Sequence, residues 1–229
     1  MRRIGLIGGL SWPSTEIYHR LINEDVGRRL GGSHSARLVI WSEDFEHIAA
    51  LQRAGDWAQA GKELAAGAQA LERAGAELVA ITANTMHLVA SDVRAAVSIP
   101  LVHLMEVAAD AAGSAGLRTL GLLGTRYTMT STLYQDACGP RGIAVLVPDA
   151  VDQDTVHDLI YDDLTLGRVP PSGKYAVAEV SDRLIEAGAD GVVLGCSELG
   201  LVLAPGQLSV PVLDATALHA RAIVDAALA

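Results

Sequence analysis

Ala74-Gly75-Ala76, Leu78-Val79-Ala80-Ile81 and Ala83-Asn84-Thr85 follow one another as a glycine turn, an apolar run and a small polar end. Ala187-Gly188-Ala189, Val192-Val193-Leu194 and Cys196-Ser197-Glu198 repeat the same order. From 75 to 188 and from 83 to 196 the offset is 113 residues. A short continuous apolar run between turn signals reads as a strand buried on both faces. The chain therefore carries one half-site twice, with a thiol in the second copy where the first has a methyl group.

The repeat extends outward from these strands. Ile4-Gly5-Leu6-Ile7 before Gly8-Gly9 is echoed by Leu120-Gly121-Leu122-Leu123 before Gly124-Thr125. Arg37-Leu38-Val39-Ile40-Trp41 is echoed by Ile143-Ala144-Val145-Leu146-Val147. Ile99-Pro100-Leu101-Val102 matches Val210-Pro211-Val212-Leu213 at an offset of 111 residues. Helical spacing is expected over Ser14–Leu30, Trp57–Ala74, Thr85–Val97, Thr128–Ala137, Thr155–Leu166, Tyr175–Ala187 and Ala217–Ala227. Strands alternating with helices predict an α/β fold of two similar parallel-sheet domains related by a pseudo-twofold. The expected halves are 1–112 and 113–210, with 211–229 a final strand and helix packing on the first half. Val169-Pro170-Pro171-Ser172-Gly173 is the expected mobile loop.

Composition narrows the function. Half of the 229 residues are hydrophobic and only 4% are aromatic, which suits close packing of helices on sheets. The formal net charge is −10 with no basic stripe, which argues against nucleic acid. Charges interrupt every apolar stretch before the ~18 residues of a membrane span. Met1-Arg2-Arg3 leads straight into a strand-like run, unlike a signal peptide, so a cytoplasmic protein is expected. Gly5-x-x-Gly8-Gly9 lacks the G-x-G-x-x-G spacing, and no phosphate loop is present. No metal motif is formed by the two cysteines or the seven histidines. His87, His103 and Cys138 read as structural residues.

In open parallel sheets ligands gather at the carboxyl ends of strands. Gly8-Gly9-Leu10-Ser11, Ala83-Asn84-Thr85, Gly124-Thr125, Cys196-Ser197 and the loop after Trp41 all fall there. Asn84, Thr85 and Ser197 can donate side-chain hydrogen bonds, and the first N–H groups of the following helices can hold a carboxylate. Cys196 at such a terminus is expected to favour thiolate and to carry protons. The same position also suits a buried, inert cysteine. Arg53 and Lys174 read equally as grips for a second carboxylate or as solvated charges.

Ile7-Gly8-Gly9-Leu10-Ser11-Trp12, Asn84-Thr85-Met86-His87, Leu123-Gly124-Thr125-Arg126-Tyr127-Thr128-Met129, Gly195-Cys196-Ser197-Glu198 and His219-Ala220 together resemble the aspartate/glutamate racemase family, in its broad amino-acid racemase branch. The resemblance implies a cofactor-independent isomerase acting on a small acidic amino acid, without metal or pyridoxal, commonly as a homodimer. It makes Cys196 one of two opposed proton carriers at the α-carbon. It assigns Asn84, Thr85 and Ser197 to the α-amino and α-carboxylate groups, and Ser11, Gln52, Arg53 and Lys174 to the side-chain carboxylate, with Thr125 a further binding residue. The chain departs from the pattern at Ala83, where the family carries Cys or Thr, and a methyl group moves no proton. Water or another side chain could take its place. One sulfur could instead serve decarboxylation of a malonate-like acid, as in the related arylmalonate decarboxylases. Ala83 could also be an introduced change, or mark a binding protein that has lost turnover.

Overall fold

The computed structural model describes residues 1–229. Its elements begin with β1 (Ile4–Gly8), α1 (Trp12–Leu30), β2 (Leu38–Ser42), α2 (Phe45–Ala54), α3 (Trp57–Arg73) and β3 (Leu78–Ile81). A 3₁₀ turn (Thr85–Val89) leads into α4 (Ala90–Ala96) and α5 (Leu104–Ser114). Then come β4 (Thr119–Gly124), α6 (Arg126–Thr130), α7 (Leu133–Cys138), β5 (Ala144–Leu146), α8 (Ala150–Asp162), α9 (Pro171–Glu186) and β6 (Gly191–Gly195). A second 3₁₀ turn (Ser197–Leu201), β7 (Val212–Asp214) and α10 (Ala215–Leu228) close the chain.

There are two compact units: Met1–His103 with His219–Ala229, and Leu104–Leu218. Set beside halves of 1–112, 113–210 and 211–229, the divisions fall elsewhere for two reasons. Leu104, Met105, Ala108 and Ala112 of α5 bury against Leu117, Leu120 and Leu122, so α5 joins the second unit. β7 pairs with β6, and only the chain from His219 onward joins the first unit.

The first unit holds a parallel sheet in the order β2-β1-β3. Successive strand side chains point to opposite faces. Ile7, Val79 and Ile81 therefore meet Leu64, Ala68 and Leu71 of α3, while Ile4, Leu6, Leu78 and Ala80 meet Tyr18 and Ile22 of α1 and Ile223 and Val224 of α10. The segment expected as a strand at 99–102 makes only a single parallel bridge, Val79 to Leu101.

The second unit holds the parallel order β5-β4-β6-β7. Leu123, Val192 and Leu194 pack on α8 and α9 through Val156, Ile160, Val177 and Leu184. Leu120, Leu122 and Val193 pack on α5 and α7. Each fully buried side chain of this kind contributes about 1.5–3 kcal/mol. Val192 pairs with Val212 as Val79 pairs with Leu101, so the repeat legible in the sequence is a repeat of strand order.

Several helices depart from their expected form. The stretch 85–97 is a 3₁₀ turn followed by α4, and 128–137 is split into α6 and α7 by Ser131, whose backbone is extended. α2 and α5 are additional helices. Pro171, Ser172 and Gly173, expected within a mobile loop, form the first turn of α9, where proline's fixed φ and missing N–H are favourable. No helix is long and apolar enough to cross a membrane.

Candidate functional site

In the first unit the predicted residues gather around the carboxyl ends of β1 and β3. Gly9 has φ +70°, and Glu43 N donates to Gly8 O at 3.0 Å across the top of β1. Ser11 caps α1, its Oγ accepting from Ser14 N at 3.4 Å. Ser14 Oγ donates to Thr82 O at 2.7 Å, which ties the first turn of α1 to the end of β3. Gln52, in the last turn of α2, is buried and donates from Nε2 to Met86 Sδ at 3.1 Å. Ser11, Gln52, Ala83, Asn84 and Thr85 thus share one neighbourhood, with Asn84 and Thr85 buried. Arg53 does not join them: it is exposed and its guanidinium is paired with Glu46 on the outer side of α2.

Two groups close to Ala83 in the fold, Thr82 and His87, are both hydrogen-bonded to backbone carbonyls. Thr82 is fully buried and its Oγ1 donates to Ile7 O at 3.1 Å. His87 bonds Ala83 O through Nδ1 at 2.8 Å. The ring of His87 lies edge-on to His103 at 4.8 Å and to His219 at 6.0 Å, between ring centres. His219 is held by Tyr18 Oη at 2.9 Å and by Val102 O at 2.9 Å. Burial drives the His87 pKa well below the usual imidazole range, with the neighbouring rings of His103 and His219 adding to it. Burial lowers His219 to about 4. Both shifts favour the neutral imidazole.

In the second unit β4 and β6 end in register at Gly124 and Gly195. A Cβ at Gly124 would lie 2.8 Å from Gly195 O, so glycine lets the two strand ends close up. Thr125 caps α6, its Oγ1 accepting from Thr128 N at 3.2 Å. Cys196, extended at φ −152°, caps the 3₁₀ turn that starts at Ser197 and is 7% exposed. Its Sγ donates to Glu198 Oε2 at 3.1 Å, and Ser197 Oγ donates to the same oxygen at 2.7 Å.

The thiolate expected at this turn is overturned by that carboxylate. Burial pushes the Cys196 thiol well above its ordinary range, and the negative charge of Glu198 pushes it further, against smaller help from the N–H groups of Glu198 and Leu199. A 3₁₀ turn of this length supplies little dipole to compete. Glu198 is a buried partner of Cys196 to which sequence reasoning assigned no role. The signal was present in the repeat, where Glu198 stands opposite Thr85.

Lys174 sits apart from this turn, in the first half of α9. It lines a cavity of about 630 Å³ with Val202 and Leu203, the residues that follow the 3₁₀ turn. Cys138 is buried between α7 and the sheet, and burial raises its pKa. No cluster of His, Cys, Asp and Glu side chains among the described residues is placed to hold a metal ion.

Comparison with known proteins identifies the family. Residues 7–223 match the profile described as Asp/Glu/Hydantoin racemase. The chain is 25% identical over 231 residues to the broad specificity amino-acid racemase RacX of Bacillus subtilis, covering 99% of this chain and 98% of that one. Among solved structures, it is 42% identical to a protein from Yersinia pestis described as a candidate Asp/Glu racemase, with a TM-score of 0.91 and full coverage of both chains. It is 32% identical to an aspartate racemase homologue from Pyrococcus horikoshii OT3, with a TM-score of 0.83 and full coverage of both.

Proposed function

This chain belongs to the Asp/Glu/Hydantoin racemase family, and on that premise we propose that it racemises an acidic amino acid, aspartate or glutamate, without pyridoxal, with Cys196 as the proton carrier on one face of the α-carbon. The observation that carries this reading is the Cys196–Glu198 contact of 3.1 Å at the end of β6. A thiol against a carboxylate shares one proton between two sites. With the proton on sulfur the pair is an acid. With the proton on Glu198 the sulfur is a base, and Ser197 Oγ steadies the carboxylate in either form.

In the proposed reaction the Cα–H bond breaks, its proton passes to Sγ, and the electron pair is spread into the α-carboxylate. Return of that proton to the same face restores the starting antipode. Delivery to the opposite face inverts it. Asn84, Thr85 and Ser197 hold the α-amino and α-carboxylate groups in this reading. Ser11, Gln52, Arg53 and Lys174 are assigned to the side-chain carboxylate in this reading, with Thr125 a further binding residue, and Arg53 is paired with Glu46 in this structure. Ala83 offers no proton, so water supplies the second face and inversion is slow relative to abstraction.

Incubation of each antipode of aspartate and glutamate in deuterium oxide, followed by chiral chromatography and mass spectrometry, tests the proposal. Deuterium at the α-carbon is expected, with a loss of about 10²–10⁴-fold in Cys196→Ser. Absence of α-exchange from every amino acid offered, or exchange indifferent to Cys196→Ser, removes the reading. Release of carbon dioxide from a malonate-like acid in its place would move the chain to single-proton decarboxylation.

A further inference from the structure

The first unit holds the end of β3 in a way that the second does not hold the end of β6. The buried ring of His87 reaches back along its own 3₁₀ turn to Ala83 O, with Nδ1 at 2.8 Å. A carbonyl oxygen only accepts, and burial keeps this ring neutral, so Nδ1 carries its single hydrogen. His219 takes the opposite form for the same reason. Its Nε2 donates to Val102 O, and its Nδ1 accepts from Tyr18 Oη. His219 is thereby fixed by α1 and by the segment that bridges to β3. It stands edge-on to His87 at 6.0 Å between ring centres, with His103 on the same ring at 4.8 Å. The imidazole on Ala83 O is itself held by packed rings. In the second unit the offset of 113 puts Gly200 at the place of His87, and the offset of 111 puts Asp214 at that of His103. Gly200 brings no donor, and a Cβ there would already stand 3.0 Å from Asp214 Oδ2. The imidazole belongs to the half that carries Ala83 and brings no proton carrier at that position.

We propose that His87 is a positioning residue: its Nδ1–H on Ala83 O sets the stretch of backbone that carries Asn84 and Thr85, and His219 sets the ring of His87 from α10. The inference rests on the racemase reading above, in which Asn84 and Thr85 hold the α-amino and α-carboxylate groups. Electrons from the Cα–H bond spread into that carboxylate, so the groups holding it act most strongly as the bond breaks. Misplacing them by about 1 Å costs on the order of 10²-fold in rate.

Nitrogen resonances of the histidine-labelled wild-type protein give the first test. His87 should be the Nδ1–H tautomer and His219 the Nε2–H tautomer, and the His87 Nδ1–H signal should move when aspartate or glutamate is added. Variants give the second. His87→Leu keeps an apolar side chain and removes the donor, and His87→Asn returns an N–H near the place of Nδ1. Rates are taken per folded molecule, with the folded fraction read by urea titration. His87→Leu should then lower kcat for α-exchange by about 10²-fold with a smaller change in KM, and His87→Asn should recover kcat to within about fivefold of wild type. A purely structural ring would change the folded fraction and leave kcat per folded molecule alone. Unchanged kcat in folded His87→Leu overturns the inference, as does a folded His87→Asn with no recovery. An Nε2–H tautomer at His87, or a signal indifferent to both amino acids, overturns it without any variant and decides the matter if neither variant folds. Absence of α-exchange in the wild type sinks the racemase reading alone. Calorimetry then judges the inference: affinity for aspartate or glutamate should fall in His87→Leu and return in His87→Asn, and a wild type that binds neither overturns it.

Discussion

Replacing Ala83 by cysteine should turn an enzyme that exchanges much faster than it inverts into one that does both at similar rates. The wild-type chain has one sulfur positioned against a proton partner, with Sγ 3.1 Å from Glu198 Oε2. At the equivalent end of β3 there is a methyl group. The neighbouring Thr82 hydroxyl is committed to Ile7 O, and the His87 ring to Ala83 O. On the proposed mechanism, one general acid–base group is then missing from one face. Such a group is worth about 10²–10⁴-fold, or roughly 3–5 kcal/mol of barrier. In deuterium oxide the antipode presented to Cys196 should take up deuterium about 10²–10⁴ times faster than it inverts. Ala83→Cys should raise inversion by a comparable factor and leave the exchange catalysed by Cys196 within a few fold. Proton nuclear magnetic resonance reads loss of the α-proton, and chiral chromatography reads inversion, in one sample. Equal exchange and inversion in the wild-type chain would refute the reasoning. So would an Ala83→Cys protein that folds and binds normally yet inverts no faster, since position 83 would then not serve the reacting carbon.

Three further outcomes follow from particular contacts. Glu198→Gln removes the like charge beside the sulfur, so thiolate absorbance should appear at lower pH than in the wild type, while α-exchange falls by at least about 10²-fold because the amide cannot take the proton; unchanged exchange would count against the shared-proton pair. His219 is neutral in the folded protein down to about pH 4, whereas an unfolded histidine protonates near 6.5, so the unfolded chain binds the extra proton first. Stability contributed above pH 6.5 should therefore be lost as pH falls toward 4, by about 3 kcal/mol from His219 alone, in urea titrations; a flat profile would contradict a buried neutral ring. Gly9→Ala would place a Cβ 2.2 Å from Glu43 O and 2.4 Å from Glu43 N at a positive φ, and should cost about 2–4 kcal/mol by denaturant titration; a loss below about 1 kcal/mol would mean the turn moves easily.

The strands were legible because a segment buried on both faces has to be apolar throughout, and the 113-residue offset made each half a check on the other. The same offset located Cys196 and exposed Ala83 as its counterpart. Periodicity failed where it carries no phase. Leu104–Ser114 is so rich in alanine that it shows no polar face, and α5 is visible only once its contacts with Leu117 and Leu120 exist. The 3₁₀ form of 85–89 depends on hydrogen bonds such as His87 N to Asn84 O at 3.0 Å, which composition does not encode. The expected thiolate failed for an electrostatic reason. Reasoning from position at a turn counted the partial charges of the backbone and left out a full charge two residues along the chain.

That resting state of Cys196 also bears on how the protein tolerates damage and drugs. Peroxide and most covalent inhibitors attack the ionised form of sulfur, and here ionisation is opposed both by the surroundings and by an acidic neighbour. Sulfenic acid formation at Cys196 is accordingly expected to be slow. A compound meant to label it is expected to gain from a cation that offsets the negative charge of Glu198 beside the sulfur.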